Sequence, residues 1–240
     1  MARLDVIHRD LTEAHSVPGQ VTLFEGARLY QLAAQAKQGI VEVGSYMGRS
    51  TAFLGLGSRI GGGVPVHAVD HFDGSAEHHR SRSSGDHLDI KANFDANMAR
   101  MGLNDLVVPV VANSTSRAAL AACPDEVDLL FIDGSHDRKS VERDLDLWLP
   151  KLVQGGTLAM HDTFGSWTSG PRQAAKDNVL LSGRFRNPIL TDSLLDVVQD
   201  GPRNSEDEVG ILLMATKLKF LGPIAQIKPW IKQRLHELGI

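Results

Sequence analysis

The most constraining stretch of this 240-residue chain runs from Ile40 to Ser50 and reads I-V-E-V-G-S-Y-M-G-R-S. It predicts a buried parallel strand that passes through a glycine turn into a helix beginning near Arg49. Gly44 and Gly48 would let the backbone approach a ligand closely, because a Cβ would fill that space. The first N–H groups of the helix would face the same ligand. The stretch therefore predicts a ligand-binding turn, with an ordinary structural turn of an α/β protein as the alternative.

Strand and helix patterns alternate along the rest of the chain, which favours a parallel sheet covered on both faces. We predict a doubly wound, mostly parallel seven-stranded sheet of the Rossmann-like α/β class, with one antiparallel strand in a closing hairpin. The predicted strands after the first are Val64–Asp70, Val107–Val111, Val127–Asp133, Thr157–Asp162, Leu194–Val198 and Val209–Ala215. The predicted helices are Leu23–Gln38, Arg49–Arg59, His87–Met101, Thr115–Ala122, Asp137–Leu149 and Pro171–Leu181.

Composition excludes several classes of protein. The net charge of −4 and the pI of about 6.2 give no basic field for generic nucleic-acid binding. The single cysteine, Cys123, excludes an intramolecular disulfide and a cysteine-based zinc site. No apolar run is long enough to span a membrane, and the charged N-terminus does not resemble a secretory signal. A cytoplasmic location is the expectation.

We expect one domain over residues 1–240, with an N-terminal arm at about 1–20 and a basic C-terminal tail at about 218–240. The segment His71–Asp86 is rich in histidine, arginine and serine, which is typical of a functional lid or a solvated loop. The tail could contact a membrane surface or a partner, but an exposed helix or a dimer element is favoured. A homo-oligomer is therefore possible.

Polar side chains follow every predicted strand of the parallel part of the sheet. Ligands of such sheets bind beyond the carboxyl ends of the strands, so these side chains should converge on one site. The residues at the five strand ends are Glu42, Gly44 and Ser45; Asp70 and His71; Asn113 and Ser114; Asp133, Gly134, Ser135 and His136; and His161, Asp162 and Thr163.

The spacing of these residues indicates a nucleoside ligand. An acid such as Asp70, at the end of the strand after the glycine turn, commonly accepts hydrogen bonds from ribose hydroxyls. Dinucleotide sites require a glycine where this chain has Tyr46, whose side chain would obstruct a pyrophosphate. An adenosyl ligand without phosphates, such as S-adenosylmethionine, fits better.

Three motifs together resemble the class I methyltransferases that act on the oxygen of small molecules. They are V-E-V-G-S-Y-M-G-R-S from Val41, V-D-L-L-F-I-D-G-S-H from Val127 and G-G-T-L-A-M-H-D from Gly155. The sequence is most similar to the macrocin O-methyltransferase and cephalosporin hydroxylase-like branch, over about Thr22 to Lys217. The resemblance implies S-adenosylmethionine as the cofactor and a small hydroxylated acceptor, such as a sugar or a secondary metabolite.

The resemblance also implies roles for individual residues. Glu42, Gly44 and Ser45 would hold the methionine end of the cofactor, Asp70 its ribose, and Asn113 and Ser114 would lie near its adenine. His136 would be the general base. The full set assigned to the cofactor is Glu42, Gly44, Ser45, Gly48, Ser50, Asp70, His71, Asn113, Ser114 and Asp133. The set assigned to a divalent metal, with Mg²⁺ favoured, is Asp133, His161 and Asp162.

Elementary chemistry supports the same roles. A hydroxyl is too weakly acidic to accept a methyl group at neutral pH unless a metal lowers its pKa or a histidine removes its proton. Mg²⁺ prefers oxygen ligands, so His161 leaves the identity of the metal open. His136 and His161 could instead have structural roles. The remaining alternatives are a non-methylating relative with the same fold, a cofactor-binding protein without activity, and a nicotinamide-dependent oxidoreductase.

Overall fold

The computed structural model describes residues 2–74, 89–164, 169–200 and 204–220. Its strands are β1 (Ile40–Val43), β2 (Val66–Asp70), β3 (Val107–Val111), β4 (Val127–Ile132), β5 (Leu152–Met160), β6 (Phe185–Thr191) and β7 (Leu194–Gln199). They form one sheet in the order β3-β2-β1-β4-β5-β7-β6. β7 pairs antiparallel with both β5 and β6, and the first five strands pair in parallel. The predicted fold class is therefore confirmed, with the antiparallel strand one place inside the edge.

Helices cover both faces of the sheet. They are α1 (Ala2–His15), α2 (Leu23–Gln35), α3 (Arg49–Ile60), α4 (Ile90–Arg100), α5 (Arg117–Ala122), α6 (Arg138–Trp148), α7 (Gly170–Ala174) and α8 (Ser205–Phe220). Residues of α1 to α4 form one hydrophobic core with one face of the strands, and residues of α5 to α8 form a second core on the other. Neighbouring residues Leu129 and Leu130 of β4 belong to different cores, as the period of two in a strand requires.

Local sequence signals account for several helix starts. Thr22 and Glu25 form a reciprocal capping box at the start of α2. Asp89, Ser116 and Asp137 each accept a hydrogen bond from the backbone N–H three residues later, so α4, α5 and α6 begin where these side chains satisfy free donors.

The prediction of a strand at Val209–Ala215 is wrong, because this segment lies inside α8. A short continuous run of apolar residues fits a buried strand or a helix equally well. The strand that completes the hairpin is β6, whose Pro188 made a strand difficult to predict. Proline is tolerated there because β6 is the edge strand and its pairing is irregular between Arg186 and Ile189.

The N-terminal arm contains α1, which packs against α2 and α3, and buries Ala14 and Val17. The predicted helix Pro171–Leu181 is divided into α7, a π-helical turn at Ala175–Val179 and a 3₁₀ turn at Leu180–Ser182. Most of the predicted loop His71–Asp86 and of the basic tail lies outside the described residues. Among the helices described, none is both long and apolar enough to cross a bilayer.

Candidate active site

A cavity of about 970 Å³ opens at the carboxyl edge of the parallel strands. Residues that follow β1, β2, β3, β4 and β5 all contribute to its wall, as predicted for a doubly wound sheet. The predicted site residues that line it are Gly44, Ser45, Ser50, Asp70, His71, Asn113, Ser114, Asp133, His136, His161 and Asp162. Glu42 and Gly48 lie behind this wall.

The glycine turn after β1 has an unusual backbone. Gly44 and Gly48 have φ values of +92° and +90°, and Tyr46 between them has φ of +48°, where a bulky residue is strained. A Cβ on Gly44 would lie 2.2 Å from the carbonyl oxygen of Asp133, so only glycine allows the ends of β1 and β4 to approach this closely. The turn therefore depends on glycine for packing within the sheet as well as for access of a ligand.

Asp70 holds this turn in place. Its Oδ2 accepts hydrogen bonds from the backbone N–H groups of Ser45 and Tyr46, both at 2.9 Å, and its Oδ1 accepts one from Phe72 at 2.7 Å. A carboxylate has about four acceptor sites, so Asp70 retains capacity for a further donor on the cavity side. The predicted partners Gly44 and Asp70 thus lie on the same rim.

Glu42 is fully buried beneath the turn. Thr51 donates a hydrogen bond to its Oε2 at 2.5 Å, whereas neither its Oε1 nor Ser45 Oγ has a hydrogen bond of good geometry with a described residue. Burial raises the pKa of Glu42 to about 7, although the nearby hydroxyls of Ser50, Thr51 and Ser45 partly oppose this. The site therefore contains a carboxyl group that is costly to ionise.

The part of the wall after β3 is organised by α6. Ser114 Oγ donates to Asp144 Oδ1 at 2.7 Å, and Trp148 Nε1 donates to the carbonyl oxygen of Ser114 at 3.2 Å. Asn113 Oδ1 accepts from the N–H and the hydroxyl of Thr115. Asp144 is buried and also lines the cavity, so burial raises the pKa of its carboxyl group, with the Ser114 hydrogen bond opposing.

Three side chains at the ends of β4 and β5 form a cluster with the spacing of a metal site. Each of Asp133, His136 and Asp162 offers one ligand atom, and these atoms lie within 4.8 Å of one another. His136 Nε2 lies 2.8 Å from Asp162 Oδ2, which is hydrogen-bonding distance. Asp162 itself has φ of +56°, a conformation that aspartate tolerates better than most residues.

His161 is buried and connects this cluster to a further set of polar groups, and its Nδ1 lies 3.5 Å from Asp162 Oδ2. Its Nδ1 lies 3.2 Å from Asp133 Oδ1, and its Nε2 lies 3.1 Å from Glu25 Oε2. Glu25 Oε1 accepts hydrogen bonds from the backbone N–H and the hydroxyl of Ser193 at 2.8 and 2.7 Å. Both ring nitrogens of His161 thus face carboxylates. The cluster with the spacing of a metal site contains His136, where the sequence predicted His161.

The charges of this region are mutually dependent. Burial alone would lower the pKa of His161, but the charge of Asp133 and hydrogen bonds with Asp133, Asp162 and Glu25 raise it well above its usual value. Burial raises the pKa of Asp133, with His161 opposing. Burial would also raise the pKa of Asp162, but His136 and His161 together lower it below its usual range. Asp162 is therefore ionised at neutral pH, and the carboxylates around His161 favour its protonated form.

Glu25 connects this network to α2. Burial would raise the pKa of Glu25, but its interaction with His161, helped by Thr22 and Ser193, lowers it to about 2. Sequence reasoning missed Glu25 and Ser193 as members of the site. The T-x-x-E pattern at Thr22 marks a helix start, but no local pattern reveals contacts with residues 136 and 168 positions away.

Sequence reasoning also missed a wall of the cavity that comes from the N-terminal arm. Gly19, Gln20 and Val21 line the cavity. Arg49, in the first turn of α3, donates hydrogen bonds to the carbonyl oxygens of Val17 and Val21 at 2.5 and 3.0 Å. The glycine turn and this segment are therefore held together by one guanidinium group.

Comparison with known proteins identifies the class of protein that this fold and cavity define. The family described as "Methyltransferase domain" matches residues 41–163, which is half of the chain. The chain belongs to this family. The match includes the glycine turn, Asp70, Asp133, His136 and Asp162, so the predicted methyltransferase class is confirmed, while the macrocin-like branch stays a prediction.

Solved methyltransferases share the fold at low sequence identity. A methyltransferase from Podospora anserina with bound S-adenosylhomocysteine is 14% identical, with a TM-score of 0.59, over 82% of this chain and 88% of that chain. An O-methyltransferase from Bacillus cereus, also solved with S-adenosylhomocysteine, is 17% identical (TM-score 0.55, 81% and 91%). The O-methyltransferase TomG of tomaymycin synthesis from Streptomyces achromogenes, with bound S-adenosylmethionine, is 16% identical (TM-score 0.55, 82% and 90%).

Proposed function

We propose that this protein transfers the methyl group of S-adenosylmethionine to a hydroxyl group of a small molecule. The observation that carries the proposal is the position of the Asp133–His136–Asp162 cluster on the wall of the same cavity as the glycine turn and Asp70. The residues assigned to the nucleoside and a set of groups able to activate a hydroxyl therefore line one cavity. The solved relatives named above, which bind the same cofactor or its product, support this reading.

The polar groups of the cavity fit the cofactor. Asp70 offers acceptor capacity to the ribose hydroxyls, and Asn113 and Ser114 lie on the neighbouring wall where adenine would lie. At the end of β1, Ser45 Oγ is a buried acceptor without a good hydrogen bond to any described residue, and an ammonium group supplies the donor that it needs. Glu42 would act from behind Ser45, since only Ser45 reaches the wall.

The cluster also fits a divalent metal. Asp133 and Asp162 supply the carboxylate oxygens that Mg²⁺ prefers, and Mg²⁺ usually keeps several waters, so two protein ligands would suffice and His136 would be left as a base. A metal bound there would lower the pKa of the acceptor hydroxyl and orient it. The position of His161 favours a supporting role for it, because its two nitrogens already face Glu25 and Asp133.

His136 is the residue that we assign to proton removal. Asp162 orients the imidazole through the 2.8 Å contact and stabilises the positive charge that develops when the ring accepts a proton. As the hydroxyl oxygen bonds to the methyl carbon, the carbon–sulfur bond breaks and the sulfur keeps the electron pair. The products are a methyl ether, S-adenosylhomocysteine and a proton held on His136.

The proposal predicts both cofactor binding and metal dependence. Calorimetry should detect S-adenosylhomocysteine binding and no NAD binding, because Tyr46 lies where a pyrophosphate needs glycine. Transfer of a labelled methyl group to a panel of hydroxylated sugars and phenols should fall about tenfold or more after chelation and recover with Mg²⁺. Label found only on nitrogen or carbon acceptors, or NAD binding in place of S-adenosylhomocysteine, would contradict the proposal.

A cytoplasmic location stays a prediction.

A further inference from the structure

The helix α8 has two apolar faces, of which the sheet uses one. A reciprocal pair of hydrogen bonds between Asn204 and Asp207 caps its start. Its inner face buries Ile211, Ala215 and Leu218, and it packs against β6 and the turn at Leu180–Ser182. An exposed surface helix would be expected to carry polar residues on its other side.

The outer face of α8 is instead an apolar stripe. Val209, Leu212, Leu213 and Phe220 are 58%, 64%, 65% and 58% exposed. Together with Thr216 they follow the spacing i, i+3, i+4, i+7 and i+11, which forms one continuous stripe opposite the buried face. Leu181 and Ile189, on the two elements that α8 packs against, are also exposed, at 54% and 44%. Such a patch marks an interaction surface.

Charged residues flank this stripe in a self-complementary order. Glu206 and Glu208 lie in the first turn of α8, and Lys217 and Lys219 lie in the last. At 100° per residue, Glu206 and Lys217 fall on one side of the stripe, and Glu208 and Lys219 fall on the other. Within the described part of the chain, none of the four forms an ion pair, and the two lysine amines lie over the rings of Phe164 and Phe220.

We propose that a second copy of this chain covers the stripe, with the two α8 helices antiparallel about a two-fold axis. A two-fold interface uses the same patch on both subunits. In this arrangement the acidic turn of one helix lies beside the basic turn of the other. Glu206 then faces the partner's Lys217, and Glu208 faces the partner's Lys219.

The same arrangement aligns the apolar residues. With the axis midway between positions 212 and 213, Leu212 and Leu213 pack against the same two leucines of the partner, and Val209 packs against the partner's Thr216. The 16-residue helix is about 24 Å long, so the contact repeats over four turns on both subunits. The stripe and the charges therefore specify one register, which a surface for unrelated partners would not require.

The test uses the full chain and sedimentation velocity over a range of concentrations. The protein should be a dimer, and Leu212→Asp with Leu213→Asp should raise the dimer Kd about 100-fold or more. These side chains are largely exposed, so circular dichroism should be unchanged. Phe24→Asp, at an equally exposed apolar residue on α2, is the matched control and should leave the Kd unchanged.

Charge reversal tests the register. Glu206→Lys with Glu208→Lys and, separately, Lys217→Glu with Lys219→Glu should each weaken the dimer, since like charges then face each other. An equal mixture of the two variants should form a dimer as tight as that of the original protein. A monomeric original protein, a dimer unaffected by the leucine substitutions, or a mixture no tighter than its components would overturn the proposal. The proposal would also be overturned if the full chain were a monomer that dimerises only after residues 221–240 are removed, because that segment would then be what covers the stripe.

Discussion

The His136→Ala variant is expected to transfer methyl groups about 10²- to 10⁴-fold more slowly at saturating substrate, the usual contribution of a general base. The physical reason is that the acceptor oxygen would keep its proton while it attacks the methyl carbon, because the proposed base is missing. Binding of S-adenosylhomocysteine should be unchanged, because the proposed nucleoside contacts lie at the ends of β1, β2 and β3. Turnover on the best acceptor and calorimetry with the product measure the two quantities.

The control for this variant is His8→Ala, which removes an exposed histidine of α1 far along the chain from the cluster. It should keep full turnover. Metal titration separates two roles for His136: a base leaves metal affinity nearly unchanged, whereas loss of a ligand weakens it. Full turnover in His136→Ala across the acceptor panel would remove His136 as the base.

The Glu42→Gln variant is expected to be more stable than the original protein at pH 8, by about 3 kcal/mol in the free energy of unfolding. The pKa of Glu42 is about 7 in the folded protein, against an ordinary value of 4.5, because burial penalises its charged form. Between these pH values the unfolded chain has released a proton that the folded protein still holds. Stability contributed by this group is therefore lost as pH rises from 4.5 to 7, and the loss is complete above 7.

Urea unfolding at several pH values from 4 to 8 measures this effect. The difference between Glu42→Gln and the original protein should be small at the acid end and grow through the stated range. Glu126→Gln makes the same chemical change at an exposed position, and should change stability by less than about 0.5 kcal/mol at every pH. If the free energies of unfolding of Glu42→Gln and the original protein changed in parallel with pH, the buried carboxyl group would not be the source of the loss of stability.

The sequence was sufficient to predict the parallel part of the sheet and one edge of the site, since both follow from local patterns. Strand ends in a parallel sheet must meet at one edge, so Asp70, Asp133 and Asp162 could be grouped without knowing any distance. The glycine turn was recognisable from the spacing of Gly44 and Gly48 after an apolar run, although an ordinary structural turn was an alternative.

The sequence was not sufficient where contacts depend on packing between distant elements. His161 was predicted as a metal ligand from its position beside Asp162, and that role stays a prediction; no local pattern showed that its Nε2 would also lie 3.1 Å from Glu25 Oε2 on α2. Glu25 had an adequate local explanation as a capping residue, so nothing indicated a second role. The strand predicted at Val209–Ala215 failed for a related reason: α8 is apolar on two faces, and that removes the helical period from its sequence.

The measurement that tests the central claim most directly is a crystal structure with S-adenosylhomocysteine and a divalent cation bound. Our account predicts ribose hydroxyls at Asp70, adenine beside Asn113 and Ser114, and the amino-acid end near Ser45, with the sulfur facing the cluster of Asp133, His136 and Asp162. A product molecule bound at another edge of the sheet, or a sulfur directed away from that cluster, would contradict it.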